Sequence, residues 1–274
     1  MDGAIVGLAV KKSETLCLLL AGVVWMGGCG ADTKFATEER LDRGLVVILP
    51  GIEGRSEANE NIRRGLVAAG VGSALPIYSW GRPIPIAGVL LNQVDVLGNY
   101  IAGGNIARFI SEYQDRHPGM PVYIVGHSGG GGVAVFAAEA MPEDRKLDGL
   151  ILLSASISRS YDLTKALSRC RSGIVNFYNP DDALLGAGTI IMGNVDGGRE
   201  PSAGRDRFTK PFPGLYQVRV DSSLSGDDAH FAATRPSFVS TRVAPWVSER
   251  AWPAGTFVTA PAPPFVTVLA AAQR

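Results

Sequence analysis

The sequence contains few of the residues that build metal centres or disulfide frameworks. Only three cysteines and three histidines occur among its 274 residues. They do not have the spacing of a metal-ligand cluster, so no metal site is expected. Charge of one sign is not in excess either, because 26 basic residues balance 26 acidic ones. This balance argues against a nucleic-acid partner and against a solvating acidic tail.

The composition is that of a globular protein with a well-buried core. Apolar residues make up 46% of the chain and charged residues 19%. The 34 glycines and 17 prolines, many of them in short clusters, indicate frequent turns. The length suits one sizeable domain or at most two small ones. Nothing in the composition indicates an oligomeric state.

The N-terminal segment differs from the rest of the chain. Two lysines precede the apolar stretch "TLCLLLAGVVWMGGC", which is too short to cross a membrane comfortably and is typical of a signal peptide. Its end resembles the lipobox of bacterial lipoproteins, in which Cys29 would carry lipid. Residues 1–28 are then a signal peptide, residues 29–42 a polar tether, and the protein is exported and anchored to a membrane. A buried N-terminal helix or an ordinary secretory signal are the alternatives.

Strands and helices alternate from residue 43 to residue 250, which predicts one domain with a mostly parallel central sheet covered by helices on both faces. Residues 251–274 are rich in alanine and proline and are expected to form a loose tail. The predicted strands are "LVVILP", the less certain "ALPIYSW", "PVYIVG", "LDGLILLSAS", "GIVNFYNP" and "LYQVRVD". The predicted helices are "NENIRRGLVAAG", "NYIAGGNIARFISEYQDRH", "VAVFAAEAM", "DLTKALSRC" and "TRPSFVSTRVAPWV".

The stretch "IVGHSGGGG" matches the pattern G-x-S-x-G between a strand and a helix. In that context the small residues let the backbone pass close to itself, and Ser128 stands at a strained turn as a nucleophile. A phosphate-binding loop is the alternative, but the Lys-Ser/Thr pair of such a loop is missing. Gly131 and Gly132 exceed the pattern and indicate tight helix packing or a close approach of substrate.

A serine nucleophile needs a base, and histidine has a suitable pKa. His117 precedes the strand that leads to the serine, at the wrong end of the sheet. The side chain of His127 should diverge from that of Ser128 and line the pocket. His230, in "SGDDAHFAA", lies between the last strand and the last helix, and is the preferred base.

The third member should be a carboxylate that orients the imidazole. Asp181 and Asp182 follow a strand in "NFYNPDDALL", and Asp182 is favoured. Asp162 is an outside candidate, and one member of the pair could instead cap a helix. For the oxyanion of an acyl-transfer reaction, the N–H of Gly129 is one donor, and the N–H of Ile52 or of Gly51 in "PGIEG" is the second.

Taken together, "GHSGG", "PGIEG", "NPDD" and "DDAH" resemble the α/β-hydrolase superfamily over about residues 45–247. The resemblance implies an esterase- or lipase-like serine hydrolase that acts on a small-molecule ester or acyl substrate without a cofactor. An acyltransferase, an amidase or a non-catalytic binding relative are the alternatives. The short connection between the central strands argues against a large cap domain. The loop "GRPIPIAGVLLNQVD" is expected to form an apolar wall of the pocket.

Overall fold

The computed structural model describes residues 33–81, 92–220, 228–248 and 252. The predicted signal peptide, the predicted lipidation site Cys29 and residues 253–274 of the predicted tail lie outside the described residues, as does most of the predicted pocket loop. No helix within the described residues combines the length and the apolar character that crossing a membrane requires.

Five parallel strands form one sheet in the order β1-β2-β3-β4-β5. Every strand is a short apolar run, and nearly all of its residues are buried, as expected where helices cover both faces of a parallel sheet. The fold class predicted from the sequence is therefore confirmed. The strands are β1 (Leu45–Leu49), β2 (Val122–His127), β3 (Gly149–Leu153), β4 (Ile174–Tyr178) and β5 (Leu215–Arg219).

Helices of very different length connect these strands. The connection between β3 and β4 holds only one short helix among the described residues, in line with the expectation that a large cap is absent. The helices are α1 (Glu38–Leu41), α2 (Glu57–Ala68), α3 (Val96–Arg116), α4 (Gly129–Ala140), α5 (Thr164–Ser168), α6 (Ala183–Met192), α7 (Ala203–Asp206), α8 (Pro236–Phe238) and α9 (Ala244–Ser248). Helices α8 and α9 are joined by a π-helical turn over Val239–Val243, and 3-10 turns lie at Thr33–Phe35 and Ala229–Thr234.

The two faces of the sheet carry separate apolar clusters. On one face, α3 and α4 cover alternate residues of the central strands, with Ile106 and Val133 among the buried contacts. On the other face, α2 and the C-terminal helices cover the remaining residues, with Ile62 and Val239 among them. Because successive strand residues point to opposite faces, each central strand contributes to both clusters. The sheet is thus a rigid base for the loops at its carboxyl edge.

The predicted strand over residues 74–80 is reduced to two isolated parallel bridges beside β1, Leu45 with Ala74 and Ile48 with Ile77. Pro76 lacks the N–H that a regular ladder would need, which accounts for the interruption. After β1 the chain forms these bridges along one side of β1. It then returns through α3 to β2, which pairs with the other side of β1. Such a reversal opens a crevice between the carboxyl ends of the two strands, where ligands bind in open α/β sheets.

Two ends of the described chain pack more tightly than the sequence predicted. Residues 33–42 are not a free tether, because the Phe35 carbonyl accepts the Leu75 N–H and the Leu41 carbonyl accepts the Tyr113 hydroxyl at 2.6 Å. The predicted loose tail is likewise docked at its start. Trp252 is buried, and its ring packs against Trp246 with 4.9 Å between ring centroids. Each segment contains apolar residues, Phe35 and Leu41 in the first and Trp252 in the second. The polar or Ala/Pro-rich composition around them gave no sign of this packing.

Candidate active site

Ser128 occupies a sharp turn between β2 and α4. Its backbone has φ of 52° and ψ of −123°, a left-handed conformation that is costly for a residue with a side chain. The turn is held by hydrogen bonds from the Ser128 N–H to the Leu153 carbonyl at 3.0 Å and from the Ser156 N–H to the Ser128 carbonyl at 2.9 Å. The neighbouring strand β3 therefore fixes the strained conformation that the sequence pattern predicts.

The glycines around Ser128 allow backbones to approach each other closely. A β-carbon added at Gly126 would lie 2.4 Å from the Gly130 carbonyl oxygen, and one added at Gly130 would lie 2.2 Å from the Pro50 carbonyl oxygen. At Gly131 the added atom would meet the side chain of Ala155 at 2.5 Å, and at Gly132 that of Val195 at 2.3 Å. Of the two explanations considered for these last glycines, tight packing of the helix matches these contacts.

The backbone nitrogens of two predicted oxyanion donors, Gly129 and Ile52, lie near each other beside Ser128. Gly129 is the first residue of α4, so its N–H has no acceptor within the helix. A β-carbon added at Gly129 would lie 3.4 Å from the Ile52 backbone nitrogen, which brings the loop after β1 against the start of α4. The carbonyl of Gly51 accepts the Gly54 N–H at 3.0 Å within this loop. Of the two predicted donors in this loop, the N–H of Ile52 is therefore the one beside Gly129.

Asp182 and His230 form a buried pair. The Asp182 Oδ2 atom lies 2.7 Å from His230 Nδ1, and both side chains are nearly inaccessible to solvent. The other carboxylate oxygen, Oδ1, accepts the Leu185 N–H at 2.9 Å and caps α6. The sequence predicted two roles for Asp181 and Asp182, catalytic acid and helix cap. Asp182 makes the contacts of both roles. Asp181 is exposed and does not make this contact.

His127 connects the serine turn with the turn that carries His230. The ring of His127 is fully buried, with its centroid 4.9 Å from that of His230, and its Nε2 atom lies 3.3 Å from the His230 carbonyl oxygen. Burial, and secondarily the nearby His230, lowers the pKa of His127 to about 3, so the ring is neutral and its Nε2–H can donate. His127 packs against His230. Because its ring is inaccessible to solvent, the expectation that it lines the pocket is wrong.

Ser128 and His230 both lie at the carboxyl edge of the sheet. His127 directly precedes Ser128 and contacts the turn that carries His230. Within the described part of the chain, no hydrogen bond joins the Ser128 hydroxyl to His230. In enzymes without substrate this contact is often long and shortens when substrate binds.

The remaining predicted residues lie elsewhere. His117 is at the opposite edge of the sheet, where its Nδ1 is 3.2 Å from Asp42. Asp162 is exposed and accepts the Thr164 N–H at 2.9 Å. Among the described residues, no group of three histidine, cysteine or acidic side chains is arranged to hold a metal ion.

Asn179, which the sequence patterns did not indicate, joins the loops of the acid and the histidine. Its Nδ2 donates to the Ala229 carbonyl at 3.1 Å, beside His230. Its own carbonyl accepts the Asp182 N–H at 3.1 Å. Asn179 is fully buried and thus fixes Asp182 relative to His230. Its position between a strand and Pro180 was the available signal, since asparagine often bonds to nearby backbone in such turns.

Comparison with known families finds one matching model. The model Hydrolase_4, described as "Serine aminopeptidase, S33", matches residues 98–181. This span includes Ser128 and ends one residue before Asp182. No curated protein sequence matches the chain.

Several solved structures are similar to parts of the chain. A pyrethroid hydrolase from Sphingobium faniae is 23% identical, with 42% of this chain and 41% of that chain covered and a TM-score of 0.30. Lipase B of Aspergillus fumigatus is 14% identical over 80% of this chain and 54% of that chain, with a TM-score of 0.47. A lipase-esterase related protein from Clostridium acetobutylicum is 10% identical over 70% and 89%, with a TM-score of 0.41. The chain thus spans about two fifths of the length of the pyrethroid hydrolase.

Proposed function

We propose that the chain is an α/β-hydrolase and that it cleaves a carboxylic ester or thioester through an acyl-serine intermediate, as the fold and the match to the model Hydrolase_4 support. One observation carries the proposal. Ser128 is held at a positive φ at the start of α4, on the sheet edge that also holds the 2.7 Å pair of His230 and Asp182. A strained serine on the same sheet edge as a buried imidazole–carboxylate pair is the arrangement that nucleophilic catalysis by serine requires.

In the proposed mechanism, Asp182 accepts a hydrogen bond from Nδ1–H of His230, which leaves the lone pair on Nε2 to act as base. The Ser128 oxygen then adds to the substrate carbonyl carbon while its proton passes to Nε2. The N–H groups of Gly129 and Ile52 stabilise the oxyanion that forms. The imidazolium returns the proton to the departing alcohol or thiol. Water repeats the sequence on the acyl-serine and releases the acid.

Apolar surface near the site supports an apolar acyl or alcohol group in the substrate. The first half of α3 exposes Leu97 and Ile101, and α6, which Asp182 caps, exposes Leu184 and Ile191. The start of α3 lies near the end of α6, because the amide of Gln93, just before α3, donates to the carbonyl of Gly193, just after α6. Apolar side chains exposed on both helices favour substrates with apolar chains over highly charged ones.

Amide hydrolysis is the second candidate, favoured by the description of the matching family model as a serine aminopeptidase. The same three side chains would serve both reactions, since only the leaving group differs. Nitrophenyl esters of short and long acyl chains, a thioester and a nitroanilide separate the two functions. We expect the esters to be cleaved faster, with a preference for longer chains.

A fluorophosphonate probe tests the proposed function directly on the full-length chain. We expect labelling of the wild type and none of Ser128→Ala. Ser154→Ala is a matched control, because Ser154 also follows a parallel strand with a positive φ, of 46°, and is buried. This control should label like the wild type. No labelling of the wild type, or equal labelling of Ser128→Ala, would favour a non-catalytic binding protein.

We also propose that the protein is exported and anchored through lipid on Cys29, on the basis of the lipobox-like sequence. Expression of the wild type and of Cys29→Ala, followed by membrane fractionation and intact-mass measurement, tests this. The wild type should fractionate with membranes and carry the mass of a diacylglyceryl group. Identical mass and fractionation of the two proteins would rule out the anchor.

A further inference from the structure

Three successive carbonyl groups of the loop after β1 are each held by a hydrogen bond. The Trp80 indole N–H donates to the Pro50 carbonyl at 2.7 Å, and the Asn92 amide donates to the Ile52 carbonyl at 3.1 Å. Between them, the Gly51 carbonyl accepts the N–H of Gly54 at 3.0 Å. The peptide between residues 51 and 52 is therefore fixed at its own carbonyl and at the carbonyl on each side.

This arrangement determines the direction of the Ile52 N–H. In a planar trans peptide the N–H points away from the carbonyl of the same unit. Because the Gly51 carbonyl is turned towards Gly54, the Ile52 N–H must point to the other side of the loop. The Ile52 nitrogen also lies beside the start of α4, as the contact with Gly129 indicates.

Trp80 and Asn92 are well placed to hold this geometry. Both side chains are buried, so their hydrogen bonds do not compete with water. The Trp80 ring also reaches the serine turn, since its Cη2 atom would lie 3.4 Å from a β-carbon at Gly129. Asn92 is itself fixed, because its carbonyl accepts the buried Asn99 amide at 3.0 Å.

We propose that Trp80 and Asn92 are positioning residues that hold the Ile52 N–H in the orientation needed to stabilise the oxyanion. The inference rests on the proposed function. Oxyanion donors act mainly in the transition state, so their misorientation lowers kcat and affects the binding of substrate little. A residue that only stabilised the fold would instead lower the thermal midpoint without a selective effect on kcat.

The first test compares two substitutions of Asn92 in the full-length chain. Asn92→Leu removes the donor at every pH, and kcat should fall about 10- to 100-fold, less than the loss of an oxyanion donor itself, with KM within about two-fold. Asn92→Asp has the same shape, but its carboxyl group donates only while protonated. The kcat of Asn92→Asp relative to the wild type should therefore fall as the pH rises from about 5 to 9. Taking this ratio removes any pH dependence that the two proteins share.

The second test uses an alkyl trifluoromethyl ketone as a transition-state analogue. The serine oxygen adds to its carbonyl carbon, the serine proton passes to histidine, and the carbonyl oxygen becomes an oxyanion. Affinity for this ketone should fall in Asn92→Leu and in Trp80→Phe by the same factor as kcat/KM. Asn105→Asp, exposed on α3, and Trp246→Phe, buried away from the site, are controls that should leave the analogue affinity unchanged.

The outcomes separate this inference from the proposed function. If the wild type neither reacts with the fluorophosphonate probe nor hydrolyses any ester, the proposed function fails, and the inference fails with it. If the wild type is active but Asn92→Leu and Trp80→Phe keep its kcat and its analogue affinity, only the inference is wrong. A rise in KM at unchanged kcat, or a pH-independent ratio for Asn92→Asp, would also contradict it. If Asn92→Leu does not fold, the kcat and analogue affinity of Trp80→Phe and the pH profile of Asn92→Asp still test the inference.

Discussion

The substitution Gly130→Ala should damage both the fold and the activity, although alanine is the better helix former. Gly130 lies in the first turn of α4, and an added β-carbon would lie 2.2 Å from the Pro50 carbonyl oxygen and 2.6 Å from that of Leu49. Both obstacles are backbone atoms, which cannot rotate away. Relief of the contact requires α4 and the loop after β1 to separate by about 1 Å.

The expected magnitudes follow from this displacement. Overpacking of this kind costs about 1–3 kcal/mol of the free energy of unfolding, more than the gain of about 0.5–1 kcal/mol from replacing a helical glycine. The same movement separates the N–H groups of Gly129 and Ile52, and a shift of about 1 Å at a reacting centre can lower kcat about 100-fold. Urea unfolding and the rate of ester hydrolysis measure the two effects on the same sample.

Gly104→Ala is the matched control for this prediction. Gly104 is also helical, in α3, but a β-carbon there would meet no atom within 4 Å. The control should therefore stabilise the protein by about 0.5–1 kcal/mol and leave kcat unchanged. Equal stability changes in Gly130→Ala and Gly104→Ala would refute the role assigned to the close approach of the two backbones.

Three further changes probe the site and the packing of the chain. Asp182→Asn should lower kcat by about 10⁴-fold, because an amide facing Nδ1 selects the wrong tautomer of His230. Its effect on stability should be small, since the amide oxygen can still cap α6. The pKa of His127 is about 3 in the fold and 6.5 in the unfolded chain. Lowering the pH from 7.5 to 5 should therefore reduce the free energy of unfolding by about 2 kcal/mol through this residue. The unfolded state binds the proton first, so this stability is present above pH 6.5 and is lost as the pH falls towards 3. Trp252→Ala should cost about 3–5 kcal/mol, because a buried ring is removed.

Each of these predictions has its own control. Asp181→Asn, on the exposed neighbour, should retain kcat within about two-fold if Asp182 alone orients the histidine. In His127→Gln, unfolding by urea at pH 5 and pH 7.5 should lose most of the difference seen in the wild type, and an unchanged difference would count against a neutral buried ring. For Trp252→Ala, a midpoint of thermal unfolding equal to that of the wild type would mean that the tail does not contribute to the core.

The sequence alone predicted those features that depend on local pattern. Short apolar runs identified the five strands of the sheet, although a sixth predicted strand, over residues 74–80, formed only two isolated bridges. The glycines around a single serine predicted the strained turn, because few other structures require so many small residues between a strand and a helix. The serine, histidine and aspartate loops were assigned to one edge from the right-handed connection of parallel strands, which needs no side-chain contact.

The tertiary structure decided everything that depends on which atoms meet across long stretches of chain. It separated Asp182 from its neighbour Asp181, buried His127 beneath His230, and brought the donors of Trp80 and Asn92 to the loop after β1. Hydrogen bonds need partners within about 3 Å and in a fixed direction. Neighbours in sequence share composition but point in different directions, so only the folded chain distinguishes them.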